Sequence, residues 1–316
     1  MQLSLSMIVR NEAERLERCL ASVAGFVDEM VLLDTGSSDA TVAIAERCGA
    51  VVHHFPWPGD FAPARNEALR HVRGEWVLVL DADEQLLGEA RQPLNQLMAQ
   101  PDLLVVNLLR FERGARQSPY SEVSRLFRRH PAIRWSRPYH AMIDDSVLAL
   151  QQREPHWRLA AYSNPALTHD GYQPQLLASG DKAKRLREAM VAELKRLPND
   201  PYACAKLGSL EVSEGHRERG MALLRRGLAH CPASAVAERY ELLLHLAIAE
   251  TSQRPAAAEA HYRRAIALPL DHRVTLAARL NLASLLQQHP AADSLAALGE
   301  AALLCQQAST AAPELA

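Results

Sequence analysis

The stretch Gly74-Glu75-Trp76-Val77-Leu78-Val79-Leu80-Asp81-Ala82-Asp83-Glu84 runs five apolar residues straight into two carboxylates separated by one residue. Such a run suits a strand covered on both faces, and ligands of open α/β sheets bind just outside the carboxyl ends of such strands. Two acidic side chains there are costly unless a cation or strong donors compensate them. An oxygen-rich site of this kind favours Mg2+ or Mn2+, which take one or two protein carboxylates and leave positions for substrate phosphates. A strand running into an Asp-capped turn is the competing interpretation. An EF-hand calcium loop is excluded, because the glycine it needs at its sixth position is Leu86.

Upstream, apolar runs alternate with amphipathic stretches. Residues 5 to 9 read as a first strand, and Asn11 with Glu14 predicts a capped helix continuing through Leu16, Leu20 and Val23. Residues 30 to 33 predict a second strand, closed by a turn at Gly36, with Asp39 placed to cap a helix over 41 to 48 that Gly49 ends. A third strand over 50 to 54 and a helix over 63 to 72 lead back to Gly74. The order β-α-β-α-β-α-β implies an α/β fold with a mostly parallel, Rossmann-like sheet, and puts Asp34 and Asp81 on one edge.

Four ordered segments carry a resemblance: Ser4-Leu5-Ser6-Met7-Ile8-Val9-Arg10-Asn11-Glu12, the run from Val31 to Thr41, the run from Trp57 to Asn66, and Asp81-Ala82-Asp83-Glu84. Together they resemble a family 2 glycosyltransferase of the GT-A fold, in the branch of lipopolysaccharide-core β-glucosyltransferases and their tetratricopeptide-linked relatives. The resemblance continues more weakly through residues 124 to 129 and 168 to 172. It implies that Asp34 accepts a hydrogen bond from the donor's nucleobase and that Arg65 and Asn66 lie beside the nucleotide. It also implies that Asp81 and Asp83 form the metal and diphosphate site. The implied reaction is a single inverting displacement by an acceptor hydroxyl, with the metal stabilising the departing nucleoside diphosphate.

Relatives carry a His-Glu pair after the Arg-Leu-Phe segment, whereas the matching place here reads Tyr139-His140-Ala141-Met142-Ile143-Asp144-Asp145. Alanine cannot act as a general base. His140 and Asp144 are the expected candidates, with Asp145 behind them, and His169 is a further candidate metal or phosphate contact. Arg125, Arg128, Arg129, His130, Arg134 and Arg137 form a basic cluster, read either as a clamp for diphosphate or an anionic acceptor or as a solvated hairpin. Arg125 is retained as a donor-site residue because its Arg-Leu-Phe motif recurs in relatives.

Beyond residue 185 the composition turns to Ala and Leu. Pro198 and Pro232 stand one tetratricopeptide period apart, with Leu207, Gly208, Gly215, Gly220, Leu224 and Gly227 at that repeat's small and apolar positions. Ala258, Tyr262 and Ala265 mark a second unit, and a degenerate third starts near Leu276. Two domains are expected, a GT-A domain over 1–178 and an all-α, tetratricopeptide-like domain over 185–310. The repeats offer a groove for an acceptor or protein partner, a surface for self-association, or plain packing; Gly stands at 220 and 227 where Ala is usual.

The chain's 316 residues, 48% hydrophobic and 23% charged with a net charge of −2, suit an ordinary two-domain enzyme with no nucleic-acid-binding surface. Five scattered cysteines form no metal spacing and fit a reducing compartment. No transmembrane segment or signal peptide is evident, so a cytoplasmic protein is expected, peripheral at the inner face of the membrane if its acceptor is lipid-linked. The expected function is transfer of a hexose from a nucleotide sugar, UDP-glucose above others, to a saccharide, lipid-linked or peptide acceptor, with Mn2+ or Mg2+. The alternative is a catalytically weakened glycosyltransferase-like scaffold acting through its repeats. Asp34, Arg65, Asp81 and Asp83 favour the first, and Ala141 favours the second.

Overall fold

The structure is a computed structural model that describes residues 2–115, 119–138, 141–170, 181–288, 299–300 and 302–306. The chain divides into two compact units, residues 1–115 with 121–176, and 116–120 with 177–316.

The first unit is a mixed eight-stranded sheet ordered β3-β2-β1-β4-β7-β6-β8-β5. Its strands are β1 (Leu3–Val9), β2 (Glu29–Asp34), β3 (Val51–His54), β4 (Trp76–Val79), β5 (Glu84–Leu86), β6 (Leu103–Glu112), β7 (Tyr120–Arg128) and β8 (Arg158–His169). β3, β2, β1 and β4 run parallel, as the alternating pattern predicts, while β7 runs antiparallel to β4 and β5 antiparallel to β8. β4 is buried throughout because its two faces meet different layers. Trp76 and Leu78 join the cluster that includes Leu16, Leu20 and Val23 of α1 (Leu16–Val23). Val77 and Val79 join Ile143, Val147 and Leu150 on the other side, the last two from α5 (Asp144–Arg153). α2 (Thr41–Arg47), α3 (Phe61–His71) and α4 (Arg91–Met98) complete the cover.

α1 starts at Leu16 rather than at the capping pattern of Asn11. Asn11 has a positive φ of 55°, its side-chain oxygen accepts from the Ser38 N–H at 2.8 Å, and the Glu12 and Ala13 N–H groups donate to Thr41 and Asp39. Residues 11 to 13 are therefore tied to the loop after β2, a long-range pairing that overrides the local helix signal. Asp39 accepts from the Thr41 N–H at 3.0 Å, but the capping position of α2 is taken by Ala40, which makes no side-chain capping bond.

The second unit contains α6 (Asp181–Arg196), α7 (Pro201–Ser213), α8 (Arg217–His230), α9 (Val236–Glu250), α10 (Pro255–Ile266) and α11 (Leu276–Gln288). α7 with α8 and α9 with α10 are the two helical pairs anticipated from the repeat, and α11 opens at Leu276. The glycines at 208, 220 and 227 allow an unusually close approach. A Cβ on Gly220 would lie 2.6 Å from the Gly208 carbonyl oxygen, and one on Gly227 would lie 2.6 Å from the Cys204 Cβ. Alanine does not fit at these approaches, which meet backbone at Gly220 and the Cys204 and Leu242 side chains at Gly227.

Candidate active site

Parallel pairing brings the carboxyl ends of β2 and β4 to the same edge, two strand spacings apart across β1, about 10 Å. Asp34 ends β2, is 4% exposed, and accepts from the Ser37 and Gly36 N–H groups at 3.1 and 3.2 Å. Burial alone would raise its pKa, but those donors and the neighbouring His54 bring it below the usual carboxylate range.

The two carboxylates after β4 part company. Asp81 is gripped by two guanidiniums, Arg65 of α3 on Oδ1 and Arg125 of β7 on Oδ2, each at 2.7 Å. Arg65 is buried and also lies over the Trp135 ring at 4.8 Å. Burial pushes the Asp81 pKa up, and Arg125 and Arg65 together more than reverse it, holding the group ionised well below the normal range. Among the described residues, Arg65 Nε and Arg125 Nη1 are buried without a hydrogen-bond partner.

Asp83 faces the other way. Its Oδ2 lies 3.3 Å from His169 Nε2 and 3.8 Å from Arg15 Nη1. The sheet explains this meeting: His169 on β8 pairs with Glu84 of β5 on one side and with Glu112 of β6 on the other. Glu84, fully buried, accepts from the Asp81 N–H at 2.8 Å and from Arg110 at 2.5 Å. Glu112 accepts from Arg110 Nε at 2.8 Å and from the Ser121 hydroxyl, and lies 2.5 Å from His169 Nδ1. Burial would lower the His169 pKa, but its hydrogen bonds to Asp83 and Glu112 raise it to about 9. Glu112 is held down at about 2 by His169 and Arg110, against burial.

A carboxylate and an imidazole side by side fit a divalent cation that draws its remaining ligands from a diphosphate. No cluster of three or more His, Cys, Asp or Glu side chains able to hold a metal ion occurs among the described residues. The donor set thus fits Mn2+ better than Mg2+, since Mg2+ is the harder ion and prefers oxygen alone.

A family model for glycosyl transferase family 2 matches residues 4–160. A TPR repeat-containing protein of Synechococcus elongatus is 48% identical over 286 residues, 90% of this chain and 70% of the relative. The chain belongs to glycosyltransferase family 2. An uncharacterized glycosyltransferase of Rickettsia bellii is 28% identical over 200 residues, 58% of this chain and 67% of its own. Among solved structures, glucosyl-3-phosphoglycerate synthase from Mycobacterium tuberculosis in complex with Mn2+, UDP and glucosyl-3-phosphoglycerate is similar at a TM-score of 0.47 and 18% identity. That likeness covers 62% of this chain and 79% of the other.

Other expected site residues of this transferase are distributed unevenly. Asn66 is engaged with the Trp135 backbone through both ends of its amide, at 2.9 and 2.8 Å, and so shapes the wall beside Arg65. His140 lies outside the described residues, as do Tyr139, Gly171 and Tyr172. Ala141 packs against the apolar cluster containing Phe127, Trp135 and Ile143. Asp144 opens α5 and accepts from the Ser124 hydroxyl at 3.1 Å. Surrounding protein raises its pKa although its surface stays open to solvent, and the charges acting most on it are Asp145 and Arg137 rather than Asp81 or Asp83.

The basic cluster does not form one clamp. Arg125 reaches Asp81, while Arg128 sits at the opposite end of β4, paired with Glu75 and over the Trp76 ring at 4.9 Å, and Arg129 donates to the Gly74 carbonyl. Sequence reasoning quoted Glu84 in its motif without giving it a role, and passed over Arg110, Glu112 and Arg15. The charged pair Arg110 and Glu112 at the end of a mostly apolar strand was the available signal.

Proposed function

We propose that this glycosyltransferase moves a hexose from a UDP-sugar, UDP-glucose above others, to a hydroxyl of a saccharide, lipid-linked or peptide acceptor, in the cytoplasm and with a divalent cation. The observation that carries the cation is the Asp83–His169 pair at the strand edge beside an already compensated Asp81. Asp83 and His169 would hold the cation, which would supply positive charge against the negative charge that develops on the departing nucleoside diphosphate. Asp34 is assigned to the nucleobase. Asp81 holds Arg65 and Arg125 in place, and their unpaired buried N–H groups give those arginines spare donors near the diphosphate. Asp144 and His140 are the proposed proton acceptors for the attacking hydroxyl. The raised pKa of Asp144 suits a base, because a carboxyl nearer neutrality holds the transferred proton better.

Ala141, in an apolar contact where relatives carry an acid, supports a second reading, a fold that binds donor but transfers slowly. Calorimetric titration of UDP and UDP-glucose with Mn2+ or EDTA, on wild type and Asp83→Ala, tests the first. Cation-dependent binding lost in the variant supports it, and absence of binding by the folded wild type overturns it. Donor binding with no transfer to any acceptor leaves the second reading standing.

A further inference from the structure

We propose that Glu112 is a positioning residue that fixes the His169 ring so that Nε2, and not another ring atom, faces the cation site shared with Asp83. This rests on the cation site proposed above and assigns a residue that does not itself meet the ligand. Glu112 ends β6, and the parallel register sets it beside His169 on β8. Its side chain is 4% exposed, and its Oε2 lies 2.5 Å from His169 Nδ1. An ionised carboxylate only accepts, so Nδ1 carries the hydrogen and Nε2, 3.3 Å from Asp83 Oδ2, is the nitrogen left to ligate.

The ring alone would not hold this state, since a flip exchanges Nδ1 with a carbon. Glu112 is itself immobilised: Arg110 donates to Oε1 from Nε at 2.8 Å and pairs with it through Nη2, also at 2.8 Å, and the Ser121 hydroxyl donates to the same oxygen. Arg110 also donates to Glu84 at 2.5 Å, and Glu84 in turn accepts from the Asp81 N–H. One arginine therefore steadies both branches of the Asp81-Ala82-Asp83-Glu84 loop.

Mn2+ binding, followed by loss of the free-ion electron paramagnetic resonance signal, tests this on wild type, Glu112→Gln, Glu112→Asp and His169→Ala. The glutamine removes the charge at constant size. The aspartate keeps the charge opposite Arg110 but is one methylene short of Nδ1, so it covers the case in which Glu112→Gln fails to fold. Both are expected to weaken Mn2+ by about 10- to 100-fold, the usual cost of losing a partner behind a ligating histidine. UDP affinity in EDTA should stay at the wild-type value, which a general collapse of the edge would not allow. Wild-type Mn2+ affinity in both Glu112 variants, with His169→Ala having lost it, overturns the role of Glu112 alone. Wild-type affinity in His169→Ala overturns the cation site itself, and the inference with it.

Discussion

Changing Asp81 and Asp83 to asparagine one at a time should give opposite phenotypes. Asp81 compensates two guanidiniums whose side chains are only 7% and 12% exposed, each at 2.7 Å. Breaking a buried pair by removing one partner costs about 3–5 kcal/mol, because the remaining charge stays buried. Asp81 itself keeps 34% of its side chain exposed, so water offsets part of the loss and about 2–4 kcal/mol is expected. Asp83 has only longer contacts, at 3.3 and 3.8 Å, and its replacement should cost less than about 1 kcal/mol. The four tryptophans, 57, 76, 135 and 157, all lie in the sheet unit, so urea unfolding followed by tryptophan fluorescence reads that unit selectively. Asp81→Asn should shift the midpoint strongly, while Asp83→Asn should leave it nearly unmoved yet lose Mn2+. Equal shifts, or Mn2+ binding kept by Asp83→Asn and lost by Asp81→Asn, would refute the division of labour.

Gly220→Ala ordinarily gains about 1 kcal/mol of helix propensity. Here its Cβ meets backbone at 2.6 Å, so a net loss of about 1–2 kcal/mol is expected, and a stabilised variant in thermal unfolding followed by circular dichroism would contradict the close packing. His245 of α9 is depressed to about 4 by burial, so the unfolded chain takes up a proton below its ordinary pKa of about 6.5 that the folded chain refuses. Stability should therefore be full above about pH 6.5 and fall as pH drops toward 4, by at most about 3 kcal/mol and by less to the extent that water reaches the ring. His245→Gln should remove that slope from urea midpoints measured across the window; parallel curves would count against it. Asp144→Asn should slow transfer by about 100-fold or more with donor affinity unchanged, and an unchanged turnover would exclude it as the base.

The half of the site built by local rules was legible. A continuous apolar run placed Asp81 and Asp83 at a strand end, and the alternation of elements placed Asp34 on the same edge. The other half depends on which distant strands pair. Glu112 and His169 are 57 residues apart, and nothing in their local pattern states that β6 lies beside β8 with those residues opposite. The start of α1 was misread for the same reason, since Asn11 obeys a partner 27 residues away rather than the helix behind it. The basic cluster failed on geometry: Arg125 and Arg128 stand three residues apart on β7, about 10 Å along the strand, so they reach opposite ends of β4. Gly220 and Gly227 were visible as departures from the repeat, but their cause, backbone contact at Gly220 and the Cys204 and Leu242 side chains at Gly227, needed coordinates.

The charge arrangement explains how one edge can carry so many carboxylates before any ligand arrives. Asp81, Asp83, Glu84 and Glu112 face Arg65, Arg110 and Arg125, and a His169 whose pKa near 9 keeps it protonated at neutral pH supplies a fourth positive charge. The group is thus close to neutral. A divalent cation that takes the His169 Nε2 position must displace its proton, which leaves the edge one charge more positive than before. A nucleoside diphosphate supplies the negative charge that this surplus favours, and the spare N–H groups of Arg65 and Arg125 face the same requirement. Cation and donor should therefore strengthen each other's binding, and by linkage the factor by which Mn2+ tightens UDP must equal the factor by which UDP tightens Mn2+. Independent binding of the two would place the cation somewhere other than at Asp83 and His169.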